Sequence, residues 1–579
     1  MRRRAPALLA VLSALAVMGV LAGCAQIPTS GPVERGDQVQ DTNDEPAVRV
    51  LPRGPVAGQS PIEVVKGFLD ASASFEDDHA VARRFMTARA SDAWNPNAGV
   101  TVIDDNPRRR FVADGNRVQL FAQQTARIAA DGAYTPRGGV DISRTFQVKK
   151  DGDSWRISRA PQGLLLDRIE VSLAFRAYNI YFMNPQREGA RSFLVADPVY
   201  LPVVQSGAAT ALVQTLLNGP TRWLAPAVES LIPNGTKLVV ESVPVTNGVA
   251  QVDLSSQFLE AQGEALQMAA AQITSTLLEL SSSVTAVQIT VEGQPLPVSS
   301  APSEFTADTW QEYEPDTLRP VLGALFVRNG IVHTLNEDAS APLEGALGEG
   351  QYSVIEPSQS WGGDVVTALS ADRTQLLLSR PFGDPGVTIA RTGNRLLPMT
   401  IDGSNRMWSL DVGSRRPALS VNEKGRWREA ALRTPPGTIS SFQVSADGTR
   451  VAIVIHQKRE DGRGKLMLGR VVEGPDRLRV EAFRPVEPTL RDVTDASWAD
   501  ATTLAVLGTR SGGPTEPLLV DLDRTVTPAT NDLLVDATSV VGAPGLPLLA
   551  DTKGDGGISR AGSSGWAPVV KGHDPAYPG

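Results

Sequence analysis

The sequence predicts a multidomain, β-rich protein: two α+β units followed by an all-β propeller of five or six blades. Three observations predict this. The chain has 579 residues, more than one hydrophobic core organises. It holds 52 glycines and 42 prolines, enough to place many tight turns between short strands. From residue 318 onward a strand–turn–strand pattern recurs. Apolar residues make up 41% and charged residues 21%, which is folded-domain composition rather than disorder.

Residues 1–23 have the order of an export signal. "MRRR" is cationic, Leu8 to Leu21 is a short apolar run, and Leu21-Ala22-Gly23 supplies small residues before Cys24. The run is shorter than the ~20 residues a membrane span needs. No basic stop-transfer cluster follows it. "LAGC" resembles the bacterial lipobox, which implies cleavage before Cys24 and acylation of its sulfur. Cys24 is the only cysteine. Once it is acylated, the chain has neither thiol nor disulfide chemistry.

Residues 24–59 read as a tether, rich in polar residues, Pro and Gly without a sustained period. The first domain spans 60–168. Ser60, Pro61 and Glu63 form a helix start with capping-box spacing. Ile62, Val65, Phe68 and Leu69 follow on one face. "DDHAVARRFMT" reads as a second helix, with His79 on a solvated face. "RVQLFAQQTARIA" and "TFQVKKDGDSWRIS" read as strands, the latter a hairpin turning near Asp151-Gly152. Helices followed by antiparallel strands make a small α+β unit. The arrangement resembles the nuclear-transport-factor-2-like (NTF2-like) class.

The second domain spans 169–300. "NIYFMN" and "SFLVADPVYLP" read as strands, and "SGAATALVQTLLNGPT" as a helix stopped by Gly219-Pro220. "TKLVVESVPVTNGVAQVDLSS" reads as a hairpin around a type I′ Asn247-Gly248 turn, with Asp253 as a strand-end residue. "GEALQMAAAQITSTLLEL" carries the apolar stripe Leu266, Ala270, Ile273, Leu277 and Leu280. The run "LLNGPT…IPNGTKL…NGVAQVDLS…QITSTLLEL" resembles the germane (GerMN) domain of sporulation and germination proteins.

The third region spans 318–579. "TALSADRTQLLLS", "FQVSADGTRVAIVI" and "ASWADATTLAVLG" match one another, with "TIDGSNRMWSLDVG" as a weaker copy. Their turn aspartates, Asp372, Asp402, Asp447 and Asp500, lie 30 to 53 residues apart. A four-stranded blade takes ~40–50 residues. Trp408, Trp427, Trp498 and Trp566 recur at comparable positions, as packing between blades requires.

Lipobox, tether, "LPRGPVAGQSP" leading into "VVKGFLDA", germane domain and propeller together resemble the actinobacterial LpqB lipoprotein family. The resemblance implies a lipoprotein on the extracytoplasmic face of the cell membrane, with acyl groups of the palmitate kind on Cys24. It also implies an accessory role to the MtrAB two-component system, through contact with the extracytoplasmic domain of the sensor kinase MtrB.

The residues themselves point away from catalysis. His79, His333, His456 and His573 are scattered, without HxH or HExxH spacing, so no metal site is expected; His456 reads as the end of the strand "VAIVIH" and His573 as part of a terminal tail. No GxSxG elbow or P-loop occurs; "GRGKLM" has Leu466 where a magnesium-binding hydroxyl belongs. "DTKGDGG" at 551–557 lacks the ligand alternation of a calcium loop and reads as a blade-end turn. No catalytic, metal or cofactor residue is therefore expected, and no cofactor. The net charge of -9 excludes phosphate-driven binding of nucleic acid. The favoured expectation is a non-enzymatic accessory protein. The alternative is an envelope glycan-binding protein or propeller hydrolase, for which acids, Tyr and Arg would have to converge on the propeller cavity.

Overall fold

The computed structural model describes residues 52–579 except 105–108, 186–189, 204–206, 298–301, 338, 385, 458–461, 475–476, 511, 524 and 555–556. Cys24, the export signal and most of the tether lie outside the described residues. Residues 47–579 form one compact unit.

Helix α1 (Pro61–Ser72) begins where the sequence places it. Ser60 Oγ accepts from the Glu63 N–H, and Glu63 accepts from the Ser60 N–H at 2.7 Å. Val64, Val65, Phe68 and Leu69 are buried, each burial contributing about 1.5–3 kcal/mol. The second helix is only α2 (Ala80–Arg83). Asp77, Asp78 and His79 before it all have positive φ (47°, 53° and 58°), which no α-helix accommodates. Helix α3 is Ala88–Ala93.

The strands of this domain are β1 (Val100–Ile103), β2 (Arg110–Asp114), β3 (Arg117–Ile128), β4 (Tyr134–Asp151), β5 (Ser154–Arg159) and β6 (Leu164–Asp167). They order as β5-β4-β3-β1-β6, with β2 also on β3. Pairing is antiparallel except for β1 with β6. Phe68 of α1 packs edge-on against Trp94 and Phe146, closing an α+β core. Helix α4 (Arg168–Ala174) leads into the second domain.

There, β7 (Phe175–Met183) pairs antiparallel with β8 (Leu194–Pro202), and α5 (Ala208–Leu217) follows. Strands β9 (Val245–Thr246) and β10 (Val249–Leu254) flank Asn247 and Gly248, whose φ values of 53° and 81° suit the type I′ turn. The arm before this turn is far shorter than its β-rich sequence suggests. Pro244 cannot donate to a ladder, and Val239 and Val240 stand exposed. Helix α6 (Glu264–Leu278) then crosses over to β11 (Ala286–Val291), which pairs parallel with β10. Strand β12 (Gln294–Pro295) ends the sheet.

Among the described residues of 318–579 lie six blades of four strands each, the third and fourth joined through their outer strands into one eight-stranded sheet. Their inner strands are His573–Ala576 in blade 1, Val354–Gln359 in blade 2, Thr400–Ile401 in blade 3, Thr438–Val444 in blade 4, Arg491–Trp498 in blade 5 and Ala537–Val541 in blade 6. Each neighbours the next, and the sixth neighbours the first, so the ring closes. Blade 1 takes its inner strand from 573–576 and the other three from 324–342. His573 therefore belongs to a structural strand rather than to a tail.

The repeat pattern is real but mixed in phase. Asp402, Asp447 and Asp500 sit in the turns between the first and second strands of blades 3, 4 and 5. Asp372 sits between the second and third strands of blade 2. The turn chemistry is the same at both places. Asp372 Oδ1 accepts from Ser370 Oγ and the Thr374 N–H; Asp447 Oδ1 accepts from Ser445 Oγ and the Thr449 N–H. A self-capping hairpin turn carries no information about which end of a blade it closes.

Candidate functional site

Two features dominate: the seam that joins the second domain to the propeller, and the cavity along the propeller axis.

The seam lies at the end of the ring where first strands turn into second strands. Phe193, fully buried, clusters with Leu318, Trp361 and Ala543 and packs near Ala446, Leu546 and Tyr577. A Cβ at Gly403 would meet its ring at 2.8 Å. One aromatic side chain thus gathers turns from five blades. Blade 5 is reached by Asp316, whose Oδ1 accepts from the Ala501 N–H at 2.7 Å. Burial and the nearby Asp500 carboxylate push the Asp316 pKa up to about 7.

Arg450 is the largest charged side chain buried here, 1% exposed. It pairs with Asp447 at 3.5 Å, donates to the Ala196 carbonyl of β8, and faces the Asp197 carboxylate. Asp197 also accepts from the Thr221 N–H and hydroxyl at 2.7 and 3.0 Å, while burial lifts its pKa to about 6. Tyr200 joins all three domains. Its ring stacks on Tyr134 at 4.9 Å, its N–H donates to the Gly132 carbonyl, and its hydroxyl donates to the Asp523 carbonyl at 2.6 Å.

The cavity holds about 580 Å³ and is lined from all six blades, inside the range of small-molecule sites. Glu356 and Arg373 form a two-bonded pair. Arg395, Asp495, Asp551, Asp574 and Tyr577 share the wall. Burial raises the carboxyls of Glu356 and Asp551 above their usual range and lifts Asp495 to about 6. Glu356 and Asp574 both adopt left-handed backbone, φ 43° and 54°, at the starts of their strands. Acids and arginines thus converge on the cavity, while Tyr577 lies at its other end, in the cluster around Phe193, with its hydroxyl donating to the Pro547 carbonyl.

Ser440 and His456 line the same cavity. His456 Nδ1 lies 2.9 Å from the Gly462 carbonyl, which can only accept, so that nitrogen carries the proton. Nε2, at 2.9 Å, then accepts from Ser440 Oγ. This is nucleophile-to-base distance. The third group, however, is a carbonyl, which fixes the tautomer without the charge that would stabilise an imidazolium.

The residues singled out in the sequence are widely dispersed in the fold. Cys24 lies outside the described residues. His79 is 3% exposed rather than solvated. It packs between Phe75 and Trp94, and desolvation lowers its pKa. His333 is buried and stacked on Phe326. His456 ends its strand as expected but also reaches the cavity. Asp253 accepts from Thr290 Oγ1 and the Gly293 N–H, tying β10 to β11. The four tryptophans are not equivalent. Trp408 is on a second strand, Trp498 on an inner strand facing the cavity, and Trp427 and Trp566 on outer strands. Sequence reasoning misses Glu356, Arg373, Asp495 and Asp574 because nothing in their local spacing shows that they converge. Among the described residues no His/Cys/Asp/Glu group has metal-binding geometry. No described helix is long and apolar enough to cross a membrane.

Three family models match the chain: the lipoprotein LpqB N-terminal domain over 54–172, the germane (sporulation and spore germination) domain over 179–297, and the lipoprotein LpqB β-propeller domain over 329–578. Lipoprotein LpqB of Thermobifida fusca is 30% identical over 98% of this chain and 99% of the relative. Its counterpart in Streptomyces avermitilis is 30% identical over 100% and 99%. That of Streptomyces coelicolor is 29% identical over 98% and 97%.

Proposed function

The chain belongs to the LpqB lipoprotein family, and from that membership we propose that it is a lipid-anchored, non-enzymatic accessory protein of the cell envelope. Acylated Cys24 holds it on the extracytoplasmic face of the cell membrane. There it binds and modulates the sensor kinase of an MtrAB-type system through the germane and propeller domains. One acyl chain anchors only marginally, so two or more chains on Cys24 are part of the proposal.

The observation that supports this best is the seam. Phe193, Tyr200, Trp223 and Arg450 commit the germane domain to the propeller, so the two present one continuous surface to a partner. A propeller is a rigid frame carrying broad loop surfaces, which suits display. The test is retention of the MtrB extracytoplasmic domain by the full-length chain in detergent. Saturable retention supports the proposal; none, even with crosslinking, rejects it.

A further inference from the structure

We propose that the axial cavity of the propeller is a binding site for a small, hydroxyl-bearing organic cation of the amino-sugar or amino-alcohol class. This goes beyond the accessory role and does not depend on it.

The cavity is built rather than incidental. Its volume of about 580 Å³ accommodates one or two sugar-sized rings. The wall is contributed by all six blades. At the opposite end of the ring from its charged groups, Phe193 and the turns around it fill the axis. A ligand would therefore meet the charged end first.

The charge balance selects the ligand. Glu356, Asp495, Asp551 and Asp574 face two guanidinium groups, those of Arg373 and Arg395. Glu356 and Arg373 are paired with each other. Asp574 neighbours His573 at 2.9 Å, and His456 is held by Ser440 and Gly462. What remains is an excess of carboxylate, crowded enough that the Asp574 carboxylate opposes ionisation of Asp551. A bound ammonium group relieves that repulsion where a neutral or anionic molecule does not. The hydroxyls of Thr438 and Thr538, two exposed residues of the wall, supply donors and acceptors for a polyol. The backbone also favours this use. A left-handed glutamate is uncommon, and Glu356 holds that strained conformation at the bulge between Ile355 and Pro357.

The test is titration calorimetry of the full-length protein in detergent, with glucosamine as probe and glucose and N-acetylglucosamine as neutral matches. Glucosamine should bind saturably and each neutral sugar at least tenfold more weakly, about 1.4 kcal/mol. Asp495→Asn should lose about tenfold in glucosamine affinity. Thr538→Trp, at an exposed position on the wall, should block binding without altering the melting temperature. This second variant keeps the test decisive if Asp495→Asn misfolds. Arg433→Ala, outside the cavity, should bind as the parent does. The proposal is overturned by no binding of glucosamine, by equal binding of glucose, or by a folded Thr538→Trp protein that binds normally.

Discussion

The guanidinium of Arg484, on an outer propeller strand, lies 3.8 Å from the ring centroid of Trp223 in the second domain. Trp223 Nε1 donates to the Ala482 carbonyl at 2.8 Å, and Arg470 donates to the Trp223 carbonyl. Trp223 is thus gripped on its face, its edge and its backbone by a single blade. Trp223→Ala should cost about 2–4 kcal/mol, the range of an interfacial aromatic anchor. Urea unfolding should show it. A loss under about 0.5 kcal/mol would mean the contact is only surface decoration.

Arg450 is the buried cation of the seam. Replacing it with Met leaves Asp447 without its paired guanidinium in a buried site and leaves Asp197 only the weaker influence of Arg484. The expected loss is about 3–5 kcal/mol, since breaking a buried pair costs more than the pair contributes. Denaturant midpoints measure it. Near-parental stability would show that the two aspartates relax or protonate freely.

Asp316 makes the stability pH-dependent. Its pKa is raised from 3.8 to about 7 by burial, so the folded chain keeps this proton when the unfolded chain has released it. The stabilising contribution is full at acid pH and is lost as pH rises through about 4 to 7. Asp316→Asn keeps the acceptor for the Ala501 N–H and removes the titration. The variant should melt higher than the parent above about pH 7 and equally at about pH 4. A gain independent of pH would assign the effect to something other than ionisation.

Cys24→Ala should abolish acyl labelling and release the protein from membranes. Membrane retention as an uncut precursor would instead make the apolar run at Leu8 to Leu21 the anchor.

Local features are legible in the sequence. The Ser60–Glu63 capping box, the Asn247-Gly248 turn and the self-capping aspartates are encoded within a few residues, and each forms where its residues stand. Long-range features are not. Asp372 and Asp447 share turn chemistry but close opposite ends of their blades. His79 follows three acids and reads as solvated, yet a left-handed stretch turns it into an aromatic core. His573 reads as terminal, yet it lies in the strand that closes the ring. The cavity is invisible in the sequence because Glu356, Asp495 and Asp574 come from three blades and meet only at the axis.

Partner binding through an intact seam is tested by the affinity of the full-length protein for the MtrB extracytoplasmic domain, measured beside the Trp223→Ala variant. Saturable binding by the parent is expected, with binding at least tenfold weaker when the seam is loosened, about 1.4 kcal/mol. No binding by the parent, or equal binding by a variant whose seam has demonstrably opened, would contradict it.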